Sequence, residues 1–286
     1  MILRPILELT VIIPGILLAY LPVKTYLRQQ PGRLTAWLLP LLAGICILGG
    51  VLCYTLRIST LPVLFVLLPF VMMIYHKTLR ITIWKSSSIF LAVCAVFACV
   101  NSLSRAVNAI LTAGLNLTEN ELWFQVGAGV FYNGICLFFL LAAWYPASHA
   151  ARAMVTDENF AQTWYIFWIL PLIFIALNLF MVPTYRNTLY TGRILQGYIV
   201  ISLVLLLILI LFYAMFLMMA DSLNKNARLV QANYFLSLQR TRYENLCTAI
   251  EEARQARHDM RHHFVQLSSL AGNGDLEKIK TYLSRA

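Results

Sequence analysis

Charge is what this chain has least of. Asp, Glu, Lys and Arg make up 12% of its 286 residues, against about 25% in soluble globular proteins. So few charges exclude an ordinary water-soluble domain as a description of the whole chain. The charges are also unevenly spread. Residues 1–220 carry 12 Lys/Arg and 5 Asp/Glu, and residues 221–286 carry 10 and 7, so half of all charges lie in the last quarter. A close Cys-x-x-Cys pair is lacking too. Of the six cysteines, Cys46, Cys53, Cys94, Cys99 and Cys136 fall in apolar runs, and Cys247 follows them. Free thiols acting as small hydrophobes are expected, and no metal cluster. No internal repeat is visible, and Pro14 and Pro171 make no convincing pair of interrupted segments of the transporter kind. No small-residue cleavage site follows the first apolar stretch, so no cleavable signal peptide is expected.

What is present is apolar: 60% of the residues are hydrophobic. A crossing helix needs roughly 20 mostly apolar residues. Seven segments qualify as candidates, at about 6–23, 34–54, 61–76, 89–112, 122–145, 160–182 and 194–220. The first is interrupted by Glu8 and Pro14, and the third holds Pro62 and Pro69 and reads as kinked or tilted. The expected fold is therefore all-α: a polytopic transmembrane domain over 1–220, then a cytoplasmic helical region over 221–286.

Loop charges orient it. Alternate loops at 24–33, 76–88 and 146–159 hold seven Lys/Arg, while the opposite set, with the N-terminus, holds four. The basic C-terminal region falls on the richer side. The positive-inside bias then places the N-terminus outside and the C-terminus in the cytoplasm of a bacterial inner membrane. The net charge of +10 reads as this bias, and nucleic acid is not an expected partner.

Six polar residues stand out within the spans: Glu8, Asn101, Arg105, Asn108, Asn133 and Asn178. Charges inside a membrane are costly and face a bundle interior or a cavity. Asn101, Arg105 and Asn108 are spaced by four and three, on one helix face. One reading is a ligand pocket at Asn101 and Arg105, or a charge pair between Arg105 and Glu8. The simpler reading has both charges near the outer interface, snorkelling to water.

From Asp221 to about Leu270 the sequence contains neither Pro nor Gly. One long helix is expected, continuing from the seventh span. Heptad positions 229, 236, 243, 250, 257 and 264 hold Leu, Leu, Tyr, Ile, Arg and Phe, and positions 246, 253, 260 and 267 hold Leu, Ala, Met and Leu. That is an a/d seam from Tyr243 onward with Arg257 as its polar break, and it predicts a homodimer through the 229–270 helix. Ala271-Gly272-Asn273-Gly274 then stops the helix. Asp275 suits the N-cap of a second, short helix over Leu276–Ala286. The expected result is a helical hairpin whose second arm is incomplete.

Three of the five histidines lie in the stretch Arg257-His258-Asp259-Met260-Arg261-His262-His263-Phe264. In the heptad register His258 and His262 point away from the seam, one turn apart, and His263 flanks it. Neutral imidazole is a competent nucleophile for a phosphoryl group. An adjacent carboxylate holds the Nδ1 proton and makes Nε2 more nucleophilic. His258-Asp259 offers that pairing.

Residues 257–286 resemble the dimerisation and phosphoacceptor hairpin of GHKL-type sensor histidine kinases. The style is that of the peptide-pheromone receptor kinases of the accessory-gene-regulator type, which place a sensor of six or seven membrane helices ahead of the hairpin. The resemblance implies His258 as phosphoacceptor and Asp259 as orienting group or base. Where many members have Asn four residues after the acceptor, this chain has His262. It further implies a response regulator as partner, an extracellular ligand such as a peptide, and quorum sensing as a role. Such kinases continue with an ATP-binding domain. Nothing of that kind follows here, so Mg-ATP is expected only with a kinase domain missing in cis or supplied in trans. The chain alone is expected to be inactive as an enzyme.

Two other classes stay open. A zinc membrane peptidase would use the i, i+4 pair His258 and His262, although Asp259 stands where such helices carry Glu and no third ligand is evident. A non-enzymatic receptor or transporter would use the tail only to dimerise.

Overall fold

The computed structural model describes residues 2–113, 122–156, 163–183, 189–190 and 193–272. Among these residues the architecture is all-helical. The helices are α1 Leu3–Leu9, α2 Ile12–Tyr20, α3 Pro31–Leu56, α4 Thr60–Lys77, α5 Ile83–Thr112, α6 Val126–Ala142, α7 Trp144–Pro146, α8 Arg152–Thr156, α9 Trp164–Phe167, α10 Ile169–Phe180 and α11 Ile194–Gly272. A stretch of π-helix, Ala147–Ala151, joins α7 to α8. Five helices are long and apolar enough to cross a membrane: Leu3–Tyr20, α3, α4, α5 and the apolar part of α11. The pair Val126–Ala142 and Trp144–Thr156, bent by 46°, makes a sixth if it is one span, and Trp164–Phe180 is a shorter apolar helix.

Prolines account for three of the breaks. A proline lacks the N–H that would bond the carbonyl four residues earlier. Pro14 leaves the Thr10 carbonyl without its usual donor. That carbonyl is taken instead by the Ile13 N–H at 3.0 Å, and α1 parts from α2 there. Pro146 lies four residues past Ala142, where α6 ends. Pro171 lies four past Phe167, where α9 ends. Pro40 and Pro69, by contrast, sit inside α3 and α4 without ending them.

The chain divides by its internal contacts into two units, Met1–Asp221 and Ser222–Ala286. In the first, α5 is the hub and packs against α2, α4, α6, α9 and α10. Its buried positions include Ser86, Ser88, Ala95, Cys99, Ser102, Ser104, Ala106 and Ala109. Such small side chains let helix backbones approach closely, the usual device where lipid removes the hydrophobic drive between helices. One close approach is α1 on α3. A Cβ placed on Gly50 would meet Ile6 Cγ1 and stand 3.0 Å from the Ile6 Cα.

Specific polar contacts join the helices. Asn133 Nδ2 donates to the Leu7 carbonyl at 2.7 Å, and Thr10 Oγ1 donates to Asn133 Oδ1 at 3.0 Å. Ser102 Oγ donates to Asn178 Oδ1 at 2.8 Å, clamping α5 to α10. At one end of the bundle the connection after α2 and the connection after α4 are stitched together. Leu27 and Leu79 form an antiparallel bridge, Arg28 N–H donates to the Thr78 carbonyl and Arg80 N–H to the Tyr26 carbonyl, both at 2.9 Å. Arg28 Nε adds a bond to the Leu79 carbonyl at 2.9 Å.

The second unit, as described, is the remainder of α11. The helix carries no break between Ile194 and Gly272, in keeping with the absence of Pro and of internal Gly beyond Asp221. The expected Asp275 cap and the second arm over Leu276–Ala286 lie outside the described residues.

Candidate functional site

On the stem, the helical register alone positions the histidines. His258 and Asp259 are neighbours on one exposed turn, with side chains 68% and 60% accessible and His258 Nδ1 3.6 Å from Asp259 Oδ1. That separation is beyond hydrogen-bonding range, which ends at about 3.2 Å. His262 lies one turn on, its ring centroid 4.9 Å from that of His258. The seam residues are uncovered as well: Tyr243, Leu246, Ile250, Met260 and Phe264 are all more than half exposed. Arg257, Met260, Arg261, Phe264 and Val265 line a shallow groove along this strip. The charged flank holds helical pairs such as Arg240 with Glu244 and Glu251 with Arg254, which contribute little at such exposure.

Two features bear on what the stem binds. Among the described residues no group of three or more His, Cys, Asp or Glu is placed to hold a metal ion, so the His258–His262 pair has no third ligand there. The stem contains no glycine from Ser222 through Ala271.

In the membrane-type bundle the polar residues singled out from sequence converge. Asn101, Arg105 and Asn108 do share one face of α5. Arg105 Nε donates to Asn101 Oδ1 at 3.1 Å, and its guanidinium carbon lies 5.3 Å from the centroid of the Phe124 ring. Asn108 Oδ1 accepts from the Gln125 N–H at 2.8 Å. Glu8 does not snorkel. It is 4% exposed, and its two carboxylate oxygens accept hydrogen bonds from the Thr60 hydroxyl and from the Phe124 backbone N–H. Burial without partners would be costly; two donors aimed at the carboxylate are what make the inward position stable. Nor do Glu8 and Arg105 form a direct ion pair among the described contacts.

These groups border a cavity of about 180 Å³. Glu8, Thr60, Asn101, Ser102, Arg105 and Asn178 line its polar end, and Ile12, Ile16, Leu68, Phe90, Val93 and Phe97 its apolar end. Thr60, Phe124 and Tyr132 carried no signal in the sequence. A single threonine at a helix start and two aromatics in an apolar run are unremarkable until the fold brings them to Glu8. Comparison with protein-family models, with curated proteins and with solved structures returns no match for this chain.

Proposed function

We propose that this chain is a seven-span membrane sensor of a two-component system, with its N-terminus outside and its stem in the bacterial cytoplasm. The single observation that carries the reading is His258 beside the Asp259 carboxylate on an exposed, unbroken helix. The five long apolar helices, the bent pair at α6 and the shorter Trp164–Phe180 helix supply the seven crossings. Two copies associate through the a/d seam of the stem, covering the strip from Tyr243 to Phe264. A kinase domain, in cis or in trans, presents the phosphoryl donor. Nε2 of His258 forms the new P–N bond as the P–O bond to ADP breaks, and Asp259 holds the Nδ1 proton. The phosphoryl group then passes to an aspartate of a response regulator. An external ligand sets how much of this occurs.

The test is made in membranes of cells that express the chain from its own locus. Phosphoprotein stable to alkali and labile to acid is expected on the wild type and on His262→Gln, and is lost in His258→Gln. Equal labelling of His258→Gln, or none on the wild type with and without culture supernatant, overturns the reading and leaves a receptor or transporter with a dimerising tail.

A further inference from the structure

The cavity between α1, α2, α4, α5 and α10 has the form of a binding site for a particular kind of molecule. Its walls are apolar along most of their length. Phe90 and Arg105, at its two ends, are separated by ~22 Å along α5 at about 1.5 Å per residue. Its volume of about 180 Å³ is below the roughly 300–1,000 Å³ typical of drug-sized sites. A long and narrow apolar space suits one hydrocarbon chain and no bulkier body. The most exposed residues on its rim are Phe65 of α4 and Leu179 of α10, at 59% and 39%. Both present apolar surface, so the opening faces the hydrocarbon of the bilayer.

The polar end decides the head group. Both oxygens of Glu8 already accept hydrogen bonds. Asn178 is committed to Ser102, to Cys99 Sγ and to the Phe174 carbonyl. Arg105 is committed only in part: Nε reaches Asn101 and the guanidinium lies over the Phe124 ring, while its terminal amino groups make no hydrogen bond to a described residue. The half-buried guanidinium at the polar end of the cavity has N–H groups left for an acceptor, and a carboxylate satisfies two of them at once.

We infer that this cavity binds a single-chain amphiphile with an anionic carboxylate head, the head on Arg105 and the chain running past Phe97 toward Phe90. The inference rests on the membrane-sensor reading for its purpose, because such a ligand would enter sideways from the lipid and wedge between α4 and α10. The binding itself stands apart from His258.

The experiment uses the full chain in lipid nanodiscs and a medium-chain carboxylic acid bearing a diazirine. Photolysis is expected to label α1, α2, α4, α5 or α10. The unlabelled acid should displace the probe, and its methyl ester should not. Arg105→Gln should lower labelling about tenfold or more, the scale of one lost charge-assisted hydrogen bond, with Arg105→Lys in between. Ala98→Leu, which fills the chain's path and leaves the head site intact, should also lower it. Equal displacement by acid and methyl ester on the wild type overturns head-group recognition, without reliance on any variant that fails to fold. Labelling outside the five helices that line the cavity overturns the site. His258→Gln should label as the wild type does, so failure here and failure of the phosphoacceptor reading are told apart.

Discussion

Glu8 and Phe124, 116 positions apart in the chain, are joined by a hydrogen bond from the Phe124 backbone N–H to the Glu8 carboxylate. The second oxygen of the same carboxylate holds Thr60. One buried side chain thus ties α1 to the start of α4 and to the residues just before α6. Glu8→Ala leaves two donors without an acceptor, and should lower stability by about 2–6 kcal/mol, from about 1–3 kcal/mol for each buried group left unsatisfied. Glu8→Gln keeps one acceptor oxygen and should cost less than half as much. Thermal unfolding in a mild detergent, followed by far-UV circular dichroism, separates the two. Equal losses would mean that shape rather than hydrogen bonding matters at this position.

Two glycines of α3 should respond in opposite ways. Gly50 faces Ile6 at a backbone distance that leaves no room for a methyl group, while Gly44 has nothing within 4 Å of a built Cβ. Gly50→Ala is expected to push α1 off α3 and to cost about 1–3 kcal/mol. Gly44→Ala should be neutral, or stabilising by up to about 1 kcal/mol through reduced backbone freedom. Melting temperatures of the two variants decide it.

Ser102 and Asn178 form the polar clamp between α5 and α10. A double-mutant cycle with Ser102→Ala and Asn178→Ala should give a coupling of about 0.5–2 kcal/mol, in the range found for interhelical hydrogen bonds within membranes. Additive losses would show that the pair does not act as a unit.

The stem seam predicts a cross-linking pattern. In a Cys247→Ser background, Leu246→Cys occupies a core d position, and Thr248→Cys the outward f position. Mild oxidation of native membranes should give disulfide-linked dimers with the first and not with the second. A disulfide needs Cα atoms within about 7 Å, a spacing that a parallel coiled coil provides across its core and not across its outer face. Comparable dimer from both positions would remove the heptad register on which the stem's dimer rests.

Much of this architecture could be read in the sequence because hydropathy acts locally. The 26 residues of α3 and the long run of α11 needed no knowledge of neighbours, and Pro14 marked an interruption of the first span, but Pro40 and Pro69 lie inside unbroken helices, so proline alone does not tell where a helix parts. That His258 and Asp259 are neighbours on one exposed turn is also local, since it depends only on helical geometry. The cavity was a different matter. That Asn101 and Arg105 share a face was visible from their spacing. That Glu8 turns inward was not, because its partners lie 52 and 116 positions away, and one is a backbone group with no residue-type signature. Hydropathy likewise gives no measure of where a helix bends: the segment at 122–145 ends in a 46° bend.

The bridge between Leu27 and Leu79 carries a rule of parity. Backbone atoms that share hydrogen bonds cannot lie on opposite faces of a bilayer, so the chain between these two residues must cross an even number of times. Helices α3 and α4 are therefore either both inserted or both not, whichever way the protein as a whole is turned. Reporter tags beside Arg28 and Arg80 must give the same answer. A topology map that assigns them to different sides is wrong before its details are considered.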